Sequence, residues 1–230
     1  MVLMLCTMLF CGAPAVLAET NPAARVKAMS KLPVWNGIWV AKGSNKTLDP
    51  SGKTLRYNEE WLNRLDEEER KHPARHDSLA LTCVAGFPRL LAMPYPFVIM
   101  ISPEQVLIHY AHRELRRIYT DGREHPPVDE QWPNAWGDSV GHWEGSTLVI
   151  STVSIRPDLW IDSTGAQLSA QAEIIERISM ADRSHLKNEI TINDPTSLDT
   201  PWKFTRLYRR TLATDIVDEQ CDFGAIKKNK

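Results

Sequence analysis

The feature that most restricts what this chain can fold into is a succession of short β-branched and aromatic segments between residues 97 and 210. Phe97 to Ile101, Gln105 to Tyr110, Glu114 to Tyr119, Thr147 to Ile155, Ala172 to Ser179, Leu186 to Ile192 and Lys203 to Arg210 each read as a strand. Turn chemistry separates them at Asp121-Gly122, Glu144-Gly145, Thr164-Gly165 and Asp194-Pro195. No helix-length pattern alternates with these strands, which disfavours a parallel βαβ sheet. Many antiparallel strands in one chain must protect their edges, and closure into a barrel removes the edges. The expected fold class is mainly β, an antiparallel barrel.

Upstream, Pro33 to Val40 reads as a first strand entered through Gly37. Residues 58–71 predict a helix. Asn58 suits its cap, Glu59 and Glu60 its positive end, and Arg70-Lys71 its negative end. Its apolar stripe of Trp61, Leu62 and Leu65 is narrow, so it is expected to lie against the outside of the barrel. Residues 19–34 read as an exposed lead-in.

The first 18 residues have the form of a secretory signal. Val2 to Phe10 is almost wholly apolar, Gly12-Ala13-Pro14 breaks the run, and Ala15-Val16-Leu17-Ala18 puts small residues at the cleavage positions. No Lys or Arg precedes the run, which departs from the usual pattern. It is too short to span a bilayer comfortably. The expectation is a signal peptide over 1–18, one barrel domain over 19–230, and a periplasmic or secreted location. Removing the signal leaves Cys83 and Cys221, and an even count in an oxidising compartment predicts one disulfide. In the chain-entropy view such a bridge contributes on the order of 4 kcal/mol.

Net charge is −2, so no strong field gathers nucleic acid or anionic lipid, and neither is an expected partner. Neither CxxC pairs nor Cys/His clusters occur, and no cofactor motif stands out, so neither a metal nor a cofactor is expected. The sequence carries no signal for oligomeric state. Eight Trp supply large apolar faces, suited to a core or to the walls of an aromatic pocket.

Polar groups collect in two stretches. His109, His112, Glu114 and Arg116 crowd the first. On one regular strand His112, Glu114 and Arg116 share a face, and His109 lies opposite. A His-x-Glu pair on an inner face suits proton transfer; on an outer face it is a solvated edge. Tyr119, Asp121 and Arg123 follow at a turn, where an Arg–Asp pair either locks the turn or grips a substrate oxygen. In the second stretch His142 and Glu144 flank Trp143, and a shift of one residue decides which face each takes.

Gly137-Asp138-Ser139-Val140-Gly141 matches the G-x-S-x-G elbow of serine hydrolases, which needs a strand before it and a helix after it. A strand follows here instead. The glycines fit better at a place where strands approach closely, and a hydrolase using Ser139 is a minor alternative.

Two resemblances add to this reading. Gly37-Ile38-Trp39 resembles the lipocalin G-x-W signature, in which the Trp closes one barrel end and an Arg of the last strand stacks on it. That implies a calycin-type barrel with Arg206, Arg209 or Arg210 on Trp39. The early helix departs from lipocalins, whose helix comes late. The strings Arg117-Ile118-Tyr119-Thr120-Asp121-Gly122-Arg123 with His125-Pro126, and Trp136 to Gly145 with Thr147-Leu148-Val149, resemble a family of exported bacterial proteins. Asp194-Pro195, Pro201-Trp202 and Cys221 fit the same pattern, over roughly residues 80–222. That resemblance implies export and a β fold and assigns no activity.

The function expected is binding of a largely apolar or aromatic small molecule, with cofactor-free acid–base chemistry of the lyase, dehydratase or isomerase kind. The residues expected to carry the chemistry are His112, Glu114, Tyr119, Asp121, His142 and Glu144. Arg116, Trp136 and Trp143 are expected to hold the substrate. The alternative is a non-catalytic periplasmic carrier.

Overall fold

The computed structural model describes residues 22–43, 46–71, 85–111, 114–157, 159–213 and 215–216. Among them the period-two segments form nine strands: β1 (Ile38–Lys42), β2 (Phe97–Ile101), β3 (Gln105–Tyr110), β4 (Glu114–Tyr119), β5 (Asp138–Glu144), β6 (Thr147–Val153), β7 (Glu173–Asp182), β8 (His185–Asn193) and β9 (Trp202–Thr211). They follow one another in chain order around a closed barrel, and β1 returns to β9 through five registered pairs. The expected mainly β barrel is present, with its helix outside.

Among the nine described strands pairing is antiparallel except between β4 and β5, which run parallel and meet at Tyr119 and Val140. The all-antiparallel expectation is corrected there. A parallel step needs a crossover long enough to carry the chain back to its starting end. Segment 120–137 does this. It is fastened by Asn134, whose N–H donates to Ser154 O at 3.0 Å and whose carbonyl accepts from Arg156 N–H at 3.1 Å. The β1–β2 seam is as sparse, with Trp39 facing Phe97.

Helix α2 (Glu59–Lys71) starts where Asn58 Oδ1 accepts the Trp61 N–H at 2.8 Å, a cap worth about 1 kcal/mol. The same side chain donates through Nδ2 to Thr196 O at 3.0 Å, which ties the helix start to the loop before β9. Trp61 is its buried residue, and the charged remainder faces water. Helix α1 (Pro22–Met29) forms in a unit of its own that ends at Lys31, in a stretch that the sequence reading treats as a lead-in. Pro at the first helical position followed by Ala, Arg and Lys favours it, although it lacks a strong apolar stripe. None of the described helices is long and apolar enough to cross a membrane.

The barrel end marked by Gly37-Ile38-Trp39 has the arrangement that the lipocalin resemblance implies. Trp39 is fully buried, and the Arg210 guanidinium lies 4.9 Å from its ring centroid, paired with it in register across β1 and β9. Gly37 has φ of +100°, and a Cβ there would stand 3.1 Å from Arg210 Cδ, so glycine leaves the room that the arginine uses.

Inward-facing residues form two apolar clusters. One contains Leu48, Phe87, Ile161, Ile174, Ile192 and Phe204; the other contains Trp39, Ile108, Ile118, Ile150, Ile178 and Tyr208. Between them the inward positions of the strands are polar: Arg116, Ser139, Thr152, Glu176, Asn188 and Arg206, all buried.

Candidate functional site

Burying an arginine and a carboxylate is costly unless each finds its partner. Here β4 brings in Arg116 and β7 brings in Glu176, which are 1% and 0% exposed. Arg116 Nη2 donates to Glu176 Oε2 at 2.5 Å and to Thr152 Oγ1 at 2.9 Å, with Ser139 Oγ at 3.4 Å. Asn188 Nδ2 donates to the other carboxylate oxygen at 2.7 Å. The guanidinium carbon stands 3.8 Å from the Phe87 ring centroid, so part of its charge is met by an aromatic face. Arg116 Nε and Nη1 and Asn188 Oδ1 are buried without a hydrogen-bond partner. Native structures hold few such atoms, and buried water commonly completes them.

A small cavity opens beside this layer. Its walls are mostly apolar (Leu91, Phe97, Ile99 and Ile178 among them), and its polar lining is Tyr110, Glu176, Asn188 and Tyr208. Its free space accommodates about one water molecule. Burial pushes the Tyr208 phenol up to about 12, and Tyr110 still further. Both phenols are therefore neutral hydrogen-bond donors at ordinary pH.

The residues expected to carry chemistry are dispersed by the strand parity. Glu114 points inward and is buried, and its Oε1 accepts the Ala85 N–H at 2.7 Å. Burial raises its pKa, and that hydrogen bond offsets part of the rise. Arg116 is inward too, as an ion-pair partner at the centre of the barrel. Tyr119 lies on the outer face beneath Arg123, whose guanidinium carbon is 3.7 Å from its ring centroid. Asp121 is held by Arg123 through Nε–Oδ1 at 2.9 Å and Nη2–Oδ2 at 2.5 Å, which keeps its carboxyl below the usual range. This is the turn lock rather than a substrate grip.

His142 and Glu144 take the solvent face of β5, because Trp143 turns inward against Trp35, with ring centroids 5.4 Å apart. Glu144 pairs with Arg177 at 2.7 Å and with His142 at 3.3 Å, and both lower its pKa. Of the residues expected to carry chemistry, Glu114 faces the interior while Tyr119, Asp121, His142 and Glu144 do not. Trp136 and Trp143 are partly buried packing residues of the core clusters. His112, Cys83 and Cys221 lie outside the described residues. Among those described, no three His, Cys, Asp or Glu side chains gather to hold a metal ion.

Ser139 is corrected as a nucleophile. It is an inward residue of β5, is 4% exposed, and bonds to Thr152 Oγ1 at 2.9 Å. No strained strand-to-helix turn presents it. The flanking glycines serve close approach, as expected: a Cβ at Gly141 would meet Val149 O at 3.0 Å.

Sequence reading misses one chemically dense cluster on the outer wall. His125 Nδ1 is 2.5 Å from Asp138 Oδ1, and its Nε2 is 2.9 Å from Ser151 Oγ. Ser151 Oγ also donates to Glu173 Oε1 at 2.9 Å. His125 comes from the crossover and the others from the outer faces of β5, β6 and β7. The signal was available in part. The two strings that carry the resemblance to exported bacterial proteins meet here, one through His125 and the other through Asp138. The role of Ser151 needs the register: it pairs with Val140 and Ile175, which puts Asp138 and Glu173 at its two diagonals.

No protein-family model matches the chain, and no curated protein matches it.

Proposed function

We propose that this protein is an exported barrel that takes a small, largely apolar molecule against its buried polar layer and performs cofactor-free acid–base chemistry on it, as a lyase, dehydratase or isomerase. The observation that carries the reading is the buried Arg116–Glu176–Asn188 cluster beside a cavity that two neutral phenols face. Such a site offers a carboxylate acceptor and phenol donors against an apolar wall, which suits moving a proton on a substrate that carries one or two oxygens. Glu176, Tyr110 and Tyr208 are the working groups in this reading, and Arg116 and Asn188 position Glu176. A ligand larger than a water requires the wall to open, and the sparse β1–β2 and β4–β5 seams are where it does so.

A non-catalytic carrier is the second reading. It is favoured by the fact that both oxygens of Glu176 are already engaged, by Arg116 and by Asn188. A thermal-shift screen of hydroxylated aromatics and steroids separates the outcomes. The expected result is a raised melting temperature with at least one class, and a loss of about tenfold in affinity for Tyr208→Phe, one hydrogen bond's worth. Glu176→Gln then lowers turnover of that compound by about a hundredfold or more if the protein is an enzyme. Equal binding by wild type and Tyr208→Phe would remove the interior site from consideration.

Export goes with a mature chain starting near Glu19 and a Cys83–Cys221 bridge. Intact mass and non-reducing peptide mapping of periplasmic protein should recover both. Two freely alkylated thiols would contradict the bridge.

A further inference from the structure

We propose that Ser151, His125 and Asp138 form a second, outward-facing site that cleaves small esters by acyl transfer, independent of the barrel interior. Nucleophilic catalysis by a hydroxyl needs a base within hydrogen-bond reach and a third group that orients the base. Ser151 Oγ, His125 Nε2, His125 Nδ1 and Asp138 Oδ1 are linked in that order at 2.9 and 2.5 Å. Order along the chain does not matter to such a triad, since the roles are defined by geometry. The His and Asp side chains are 20% and 29% exposed, shielded in part and still reachable by a substrate.

The surroundings indicate the substrate class. The crossover that delivers His125 also carries Trp132 and Val128, which are 84% and 86% exposed and are two of the most exposed large apolar residues in the structure. That crossover is held in shape by Gln131, which donates to Pro126 O at 3.1 Å and accepts from Ser154 Oγ at 3.2 Å. An apolar surface on the segment that bears the base suits an ester with an apolar acyl or aryl part.

The step balances with water as co-reactant. Ser151 Oγ attacks the ester carbonyl carbon while its proton passes to His125 Nε2, and Asp138 holds the Nδ1–H. The tetrahedral intermediate collapses, the C–O bond to the alcohol breaks, and that proton leaves with the alcohol. Water then attacks the acyl-serine, gives a proton to His125, and releases the acid as Ser151 regains its proton. Glu173 competes for the Ser151 hydroxyl in the resting state, since its Oε1 is also 2.9 Å away. Attack therefore begins with a rotation of that O–H from Glu173 to His125.

The test is a fluorophosphonate probe, in which a serine oxygen displaces fluoride at phosphorus, together with hydrolysis of p-nitrophenyl butyrate. The expected result for the full chain is one adduct, mapped by peptide mass to Ser151. Both labelling and hydrolysis should be lost in Ser151→Ala and should be slowed by about a hundredfold in His125→Gln. Asp138→Asn provides a second slowed variant should His125→Gln melt early. An unlabelled wild type, an adduct elsewhere, or unchanged labelling in folded His125→Gln and Asp138→Asn would each overturn the site. Ser151→Ala should leave interior ligand binding intact, so a failure here and a failure of the interior site show up in different measurements.

Discussion

Arg116→Met is expected to lower the unfolding free energy by about 3–5 kcal/mol, the usual cost of leaving one partner of a buried ion pair alone. The guanidinium is the group that makes the Glu176 carboxylate tolerable in a barrel centre where both are essentially unexposed. Its removal also takes donors from Thr152 and Ser139 and the stacked cation from Phe87. The informative comparison is Arg116→Met with Glu176→Leu. Removing both charges should recover most of the loss, because the pair repays its own desolvation and adds little beyond it. Recovery should be incomplete, since Asn188 Nδ2 then loses its acceptor. Urea unfolding of the single and double variants gives these numbers directly. A single variant within 1 kcal/mol of wild type would mean that water reaches the centre and that the polar layer is not a dry site.

Gly137→Ala is expected to cost about 2–4 kcal/mol, from two additive causes. Gly137 has φ of +69°, a conformation that an L side chain adopts with strain. A Cβ there would stand 2.6 Å from Val153 O and 2.8 Å from Thr152 Cγ2. The first contact is with backbone, so the crossover or β6 has to shift. Gly122→Ala is the control. Its φ is also positive, at +85°, but a Cβ there meets nothing within 4 Å, so it should pay the backbone term alone. Equal losses in the two variants, by thermal or urea unfolding, would show that the close approach contributes nothing.

The same residue shows what can be read from a sequence and what cannot. Gly137 and Gly141 stand in a hydrolase-like string, and the strand that follows it points to close packing instead, as the structure has it. Eight of the nine strands, the Asn58 cap, the Arg–Asp lock of the turn and an arginine on Trp39 were legible, because each rests on local chemistry or a short signature; β5 was not among the expected strands. The interior site was not. Arg116 and Glu176 lie far apart in the chain, and charged residues are ordinarily assigned to the surface. Faces were not legible either, because parity along β5 is set by Trp143 packing on Trp35, a contact with a residue from before β1. The outer cluster needed the diagonal relations of three strands and the path of a crossover, which no local pattern encodes.

The return of β1 to β9 has a consequence for how the chain is assembled. Strands β5 to β9 pair antiparallel in chain order, so each of β6 to β9 meets a neighbour made just before it. The main partner of β1 is the last strand, so Ile38–Lys42 leaves the synthetic machinery long before Leu207–Thr211 exists to receive it. Until then Trp39 lacks the Arg210 stack and β1 is an unsatisfied edge. Closure joins the two ends of the domain across nearly its whole length, the contact with the greatest loop-closure entropy to overcome. Ring completion is therefore the late step of folding, and the interval before it is when a neighbouring copy of β1 competes most effectively for the open edge of β9.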